Sequence, residues 1–297
     1  MRAPDYRPML LAAALSLAGC GGGSGGGVAS IPAPPVTPTP TPTPTPAPPP
    51  IIPAATTSQQ FAAIGAAHPG GINAAPLLDA GEQLQVRYVE SSNSYEIQLP
   101  HTSSWAALTS WSPEGPVFFP GGFGSDIGGL SLKKIDYQYS NLFRWGARGS
   151  TGFGFEAIGI ATAASGVPVT GNASYTGLLL GSTPEVHPDY DLYIGGSIGL
   201  SFDFALGALS GSIVPTLLRD EGGDLSLSSI EFRDTVYSSG STTFSGKFDT
   251  SLPGINSFSG QFTGPHAEEL IGNFAFPYQS PIDSKTYQAD GAFVGKK

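Results

Sequence analysis

Residues 258–274 read Phe-Ser-Gly-Gln-Phe-Thr-Gly-Pro-His-Ala-Glu-Glu-Leu-Ile-Gly-Asn-Phe. The stretch holds two copies of one pattern, a large apolar residue, a spacer, a glycine, a spacer and a second apolar residue: Phe258-x-Gly260-x-Phe262 and Leu270-x-Gly272-x-Phe274. The pattern recurs at Tyr175-x-Gly177-x-Leu179, Ile194-x-Gly196-x-Ile198, Leu209-x-Gly211-x-Ile213, Phe244-x-Gly246-x-Phe248 and Ala289-x-Gly291-x-Phe293. Strand side chains alternate between faces, so each copy puts large, small and large on one face. Neighbouring strands of a small closed barrel cannot all send bulky groups inward at one level, and alternating large with small fills the interior without strain. The expected fold is all-β, a small β-rich handle domain followed by an eight-stranded antiparallel β-barrel with a packed interior. Function then falls to loops or to the added domain.

The opposite face tells which solvent the barrel meets. From 192 to 204 the even positions Leu192, Ile194, Ile198, Leu200, Phe202 and Phe204 are apolar, and the odd ones include Ser197, Ser201 and Asp203. Ser245, Lys247 and Asp249 turn outward from one strand, and Ser257, Ser259, Gln261 and Thr263 from the next. A membrane-spanning barrel needs an apolar band outside. A soluble barrel is therefore expected.

The membrane signal lies at the N-terminus. Arg2 and Arg7 flank the start of an apolar stretch, Met9 to Leu17, too short for a bilayer span of about 20 residues and suited to a signal-peptide core. It runs into Leu17-Ala18-Gly19-Cys20, which resembles a bacterial lipobox, with Cys20 as the lipidated residue. Cys20 is the single cysteine, so no intramolecular disulfide forms. Gly21 stands where an aspartate would retain an enteric lipoprotein at the inner membrane, which points to the outer membrane, Gram-negative and lipid-anchored with palmitate-type acylation. Residues 21–27 are Gly-rich and flexible, and residues 31–50 are Pro/Thr-rich and extended, a tether on the order of 60 Å. The expected organisation is signal peptide 1–19, tether 20–60, handle 61–169 and barrel 170–297.

Charged residues make up 12% of the chain and the formal net charge is −10, which removes nucleic acid and anionic membrane surface as partners. In the handle, Gln83 to Tyr88 and Tyr95 to Leu99 alternate around Ser91-Ser92-Asn93-Ser94, a hairpin signal. Ile135 to Tyr139 and Phe153 to Ile160 read as further strands, and Pro120 to Gly129 as a loop.

Gly159-Ile160-Ala161-Thr162 with Val167 to Gly177 resembles the start of the barrel in transferrin-binding-protein-like surface lipoproteins, and Phe258 to Phe274 resembles that family's closing hairpin. The resemblance covers residues 80–297. It implies a handle, an eight-stranded barrel and an N-terminal lipid anchor, an architecture shared with factor H-binding protein and the haem-binding hemophilins. It further implies an outer-membrane transporter and a surface-lipoprotein export translocon as partners. This chain has one lobe where transferrin-binding protein B has two, and no transferrin-contacting motif carries over.

Candidate chemistry is sparse. Gly195-Gly196-Ser197-Ile198-Gly199 fits G-x-S-x-G, but that motif needs a strand-to-helix turn and here falls inside an alternating strand. Glu185 to Asp191 gathers two aspartates, a glutamate and His187, oxygen ligands that suit calcium or equally a solvated loop. Arg219 to Asp224 reads as a polar turn. His68, His101, His187 and His266 show no zinc spacing. Neither a catalytic group nor a metal site emerges, and no enzyme is expected. The candidate ligand-binding residues are His101, Trp105, Trp111, Phe119 and Phe123, aromatic anchors on loops that serve equally as a small core. Two classes stay open: capture of a protein or solute, with iron or haem acquisition as one version, and adhesion or host-protein binding without a role in uptake.

Overall fold

The structure, a computed structural model, describes residues 55, 57–79, 83–92, 94–100, 102–107, 127–132, 136–147, 152–189, 192–219 and 223–297, for 127–132 and 147 as backbone only. Residues from Ala47 to Lys297 form one compact unit. Its first strands are β1 (Gln59–Gln60), β2 (Ala62–His68), β3 (Gln85–Val89), β4 (Ser94–Gln98), β5 (Ala106–Ala107), β6 (Ile127–Leu132), β7 (Ser140–Ala147) and β8 (Phe153–Gly159). They make two four-stranded sheets, in the orders β1-β3-β4-β5 and β2-β8-β7-β6. Then follow β9 (Asn172–Ser182), β10 (Leu192–Asp203), β11 (Ala208–Arg219), β12 (Leu225–Ser226), β13 (Ile230–Val236), β14 (Thr243–Phe248), β15 (Ser257–Thr263), β16 (Glu269–Gln279) and β17 (Thr286–Lys296).

Eight of these nine close into a ring. Pairing runs antiparallel through β9, β10, β11, β13, β14, β15, β16 and β17 and returns from β17 to β9, while β12 hangs on the end of β11. All fourteen apolar residues of the seven motifs lie in one buried cluster. Register explains how they fit. Glycines stand directly opposite large residues of the neighbouring strand: Gly177 faces Ile198, Gly196 faces Leu179, Gly246 faces Phe258, Gly260 faces Phe244, Gly272 faces Phe293 and Gly291 faces Phe274. A methyl group built on Gly246 would sit 2.6 Å from the Phe258 ring, so the missing side chain is the space the ring occupies. β13 carries no motif. Its register slips between Arg233 and Val236, where Asp234 takes a positive φ of 47°, a local bulge.

The second sheet lies between the first sheet and the barrel wall. Phe143 and Trp145 of β7 and Ile158 of β8 face the first sheet, where they pack with Leu84, Val86 and Ile97. Leu142 and Ala157 face the barrel and pack on Ile271, Ala292 and Val294. Polar groups stitch the same seam: Ser140 Oγ lies 2.6 Å from Thr263 Oγ1, Thr162 donates to the Gly264 carbonyl at 2.6 Å, and Asn273 Nδ2 donates to the Leu78 carbonyl at 2.8 Å.

Three sequence expectations change in detail. Residues 136–139 of the expected strand Ile135 to Tyr139 are irregular, and the strand begins at Ser140. The amides of Gln138 and Tyr139 donate instead to the Glu269 carboxylate, at 2.6 and 2.9 Å, an interaction that sequence alternation does not register. The expected loop to Gly129 gives way at Ile127, where β6 begins. Thr263 faces outward as expected yet is fully buried, because the second sheet covers that part of the wall.

A candidate ligand cleft on the seam

The barrel interior is filled. The Phe202 ring alone meets Tyr175, Tyr237, Phe244 and Phe262 at centroid separations of 5.6, 5.1, 5.1 and 4.9 Å. The clefts of interest are therefore those on the outer surface. At one end of the seam a cleft of about 270 Å³ opens between the second sheet and the loop that follows β9. Arg144 and Phe153 line it from β7 and β8, Ser182 from the end of β9, Thr183, Val186 and His187 from the loop, and Leu192 and Tyr193 from β10. Arg144 Nη1 donates to the Tyr193 hydroxyl at 2.9 Å, and its guanidinium carbon lies 4.9 Å from that ring's centroid.

The floor rests on a buried cluster. His68 Nε2 lies 2.6 Å from Asp290 Oδ1 and 3.1 Å from Ser182 Oγ, and Ser182 also donates to Asp290 at 3.0 Å. The His68 ring stacks on Phe153, centroids 4.8 Å apart. Serine, histidine and aspartate in contact invite comparison with a catalytic triad. A triad sets the carboxylate on one ring nitrogen and the serine on the other; here both partners share Nε2, Nδ1 has no partner among the described residues, and Ser182 is buried. The cluster is a latch joining β2 to β9 and β17.

The loop between β9 and β10 is held by its own acid. Glu185 is buried, with Oε2 accepting from the Tyr278 hydroxyl at 2.6 Å and Oε1 from Ser280 at 2.5 Å. Burial, and then that hydrogen bond to the carboxylate, push the Tyr278 phenol well up. Both Glu185 oxygens are thus occupied and Asp189 points to solvent, so the calcium reading of Glu185 to Asp191 has no converging ligands among the described residues.

Glu156 on β8 is fully buried between the two small sheets, where Oε1 accepts from the Leu84 amide at 3.0 Å. Burial raises its pKa well above the ordinary glutamate value of 4.5, with the Leu84 hydrogen bond acting in the opposite direction. A raised folded-state pKa gives stability that is whole below the unfolded value and is lost as pH rises through the folded one. Melting temperature should fall as pH is raised from about 4.5, and Glu156→Gln should flatten that fall. Parallel pH profiles for the two proteins would contradict the assignment.

Of the residues singled out from sequence, Trp105 is described: it is half-buried, under the Arg87 guanidinium at 4.1 Å from the ring centroid, on the first sheet and away from the cleft lining. His101, Trp111, Phe119 and Phe123 lie outside the described residues. Ser197 sits mid-strand in β10 between Leu178 and Val214, and the G-x-S-x-G pattern forms no strand-to-helix turn. Of the expected turn Arg219 to Asp224, residues 220–222 lie outside the described residues; the Arg219 amide donates to Asp224 at 3.3 Å, and Gly223 has a φ of +80°. Arg144, Tyr193, Ser182, His68 and Asp290 were not legible as a group, because they come from separate strands. The available signal was the pair of aromatics around an exposed arginine on β7.

Neither a protein-family model nor a curated protein sequence matches the chain. Among solved structures, transferrin-binding protein B of Haemophilus parasuis is similar at 16% identity, covering 81% of this chain and 45% of that one, with a TM-score of 0.42. The protein of the same name from serogroup B Neisseria meningitidis gives 15% identity, 79% and 43% coverage and a TM-score of 0.44. That of Actinobacillus pleuropneumoniae gives 13%, 79% and 99%, and 0.36. The chain spans less than half the length of the first two. Among the described residues no helix is long and apolar enough to cross a membrane.

Proposed function

We propose that this chain is an outer-membrane lipoprotein, anchored through Cys20 and displayed at the cell surface on its Gly/Ser and Pro/Thr tether, that binds a protein or solute ligand. The observation that carries this reading is the mixed cleft on the seam of a barrel whose interior is full: a rigid body with its polar and aromatic groups presented at one outer end. The lipobox-like Leu17 to Cys20 and the family resemblance of Phe258 to Phe274 support the placement. Handing an iron source or haem to an outer-membrane transporter is the form of this function that the resemblance favours, and ligand contact by His101, Trp105, Trp111, Phe119 and Phe123 is a separate proposal, apart from the cleft. Surface export is assigned to a translocon.

Anchoring is tested by Cys20→Ala. The variant should accumulate as unprocessed precursor and take up no labelled palmitate. Labelling and membrane retention equal to the parent would contradict it. Ligand class is tested by recovering the protein from its native surroundings and recording mass and absorption spectra of what accompanies it. A Soret band supports haem, a stoichiometric protein supports capture or adhesion, and recovery of the chain alone from saturating surroundings counts against ligand binding.

A further inference from the structure

We infer that the cleft on the seam binds a small aromatic carboxylate, its acid group on Arg144 and its ring against Phe153. This rests on the reading that the chain is a ligand-binding protein and names the chemistry of one site. Among the described residues, Arg144 is the fixed cation of the lining. It is exposed, yet its direction is set by the hydrogen bond to Tyr193, which uses one of five donors and leaves the rest of the planar fork for an incoming anion. One guanidinium suits a monoanionic carboxylate, which it holds through two parallel hydrogen bonds.

Two of the described acids beside the cleft are already engaged, and the exposed Asp189 stands 3.8 Å from His187. Glu185 is occupied by Tyr278 and Ser280, and Asp290 by His68 and Ser182. The rest of the lining is built for an apolar body. Phe153 is fixed from behind by the His68 ring, and Ile72, Val186 and Leu192 complete the walls. Size suits the class: 270 Å³ equals about nine waters at ~30 Å³ each, room for a one- or two-ring acid.

The test is titration of the full-length chain with 2-naphthoate, followed by calorimetry and ligand-observed NMR. Saturable one-to-one binding is expected, with the neutral isostere 2-naphthalenemethanol weaker by at least about tenfold. Arg144→Gln should weaken naphthoate by a similar factor with an unchanged melting temperature, because the side chain is exposed. Val186→Asp, which puts a negative charge on the rim at a residue 85% exposed, should do the same. Lys247→Gln, on a barrel strand outside the lining, should have no effect. Absence of binding, equal affinity for the neutral isostere, or naphthoate affinity that survives both cleft variants would overturn the inference. None of those results bears on recovery of a natural ligand from the cell surface, so the broader reading stands or falls separately.

Discussion

Phe262→Ala will lower the stability of the folded unit by about 3–5 kcal/mol, the cost of removing a large ring from a site that cannot collapse. At roughly 2–4 °C per kcal/mol for a unit of this size, the melting temperature should drop by about 6–20 °C. Phe262 is fully buried, and its ring is within 4.9–6.1 Å of the Tyr175, Phe202, Phe204, Tyr237 and Phe244 centroids. The reverse insult should also be costly. Gly260→Leu drives a side chain into the Phe244 ring and toward the Ile271 carbonyl, and overpacking of this kind costs about 1–3 kcal/mol or more. Ser259→Leu, one residue along and on the outer face, gives the face assignment its control. Thermal unfolding should rank the glycine variant well below the parent; if it proves neutral while Ser259→Leu unfolds the protein, the inner and outer faces are reversed.

Asp290→Ala should loosen the second sheet from the barrel. It leaves His68 buried beside Ser182 without its closest partner, and an unmet buried polar group costs about 1–3 kcal/mol. Replacing both residues, His68→Leu with Asp290→Leu, removes the orphaned group as well as its partner and should recover part of the loss. A double-mutant cycle on the melting free energy should return a coupling of about 0.5–3 kcal/mol, as expected for residues in one network. Additive effects would mean that the short His68–Asp290 contact does not latch the two parts together.

The barrel was legible in the sequence because its physics is local. Each Gly-centred motif specifies a face within five residues, and seven copies specify a repeated wall in which glycines such as Gly246, Gly260, Gly272 and Gly291 stand against phenylalanines of a neighbouring strand. β13 escaped because Ile230 and Phe232 stand without a glycine between them and the strand bulges at Asp234. The seam was not legible for the opposite reason. Thr263 reads as a solvent-facing polar residue, and the second sheet, built from residues more than a hundred positions away, turns it into a buried hydrogen-bonding group. The cleft shares that character. His68, Arg144, Ser182, Tyr193 and Asp290 carry no motif in sequence, and four separate elements besides β2 bring them within reach of one another. The candidates His101, Trp105, Trp111, Phe119 and Phe123 rest on the local density of aromatic residues, and all but Trp105 lie outside the described residues.

We propose that recognition occurs at the seam, outside a filled barrel. A photo-crosslinking amino acid placed at Val186, on the cleft rim and 85% exposed, can be compared with one at Val214, on the barrel wall and 47% exposed. After irradiation of cells displaying each variant, the intact mass of the recovered protein should show an adduct from position 186 and none from position 214. An adduct confined to position 214, or equal labelling at both, would contradict the claim.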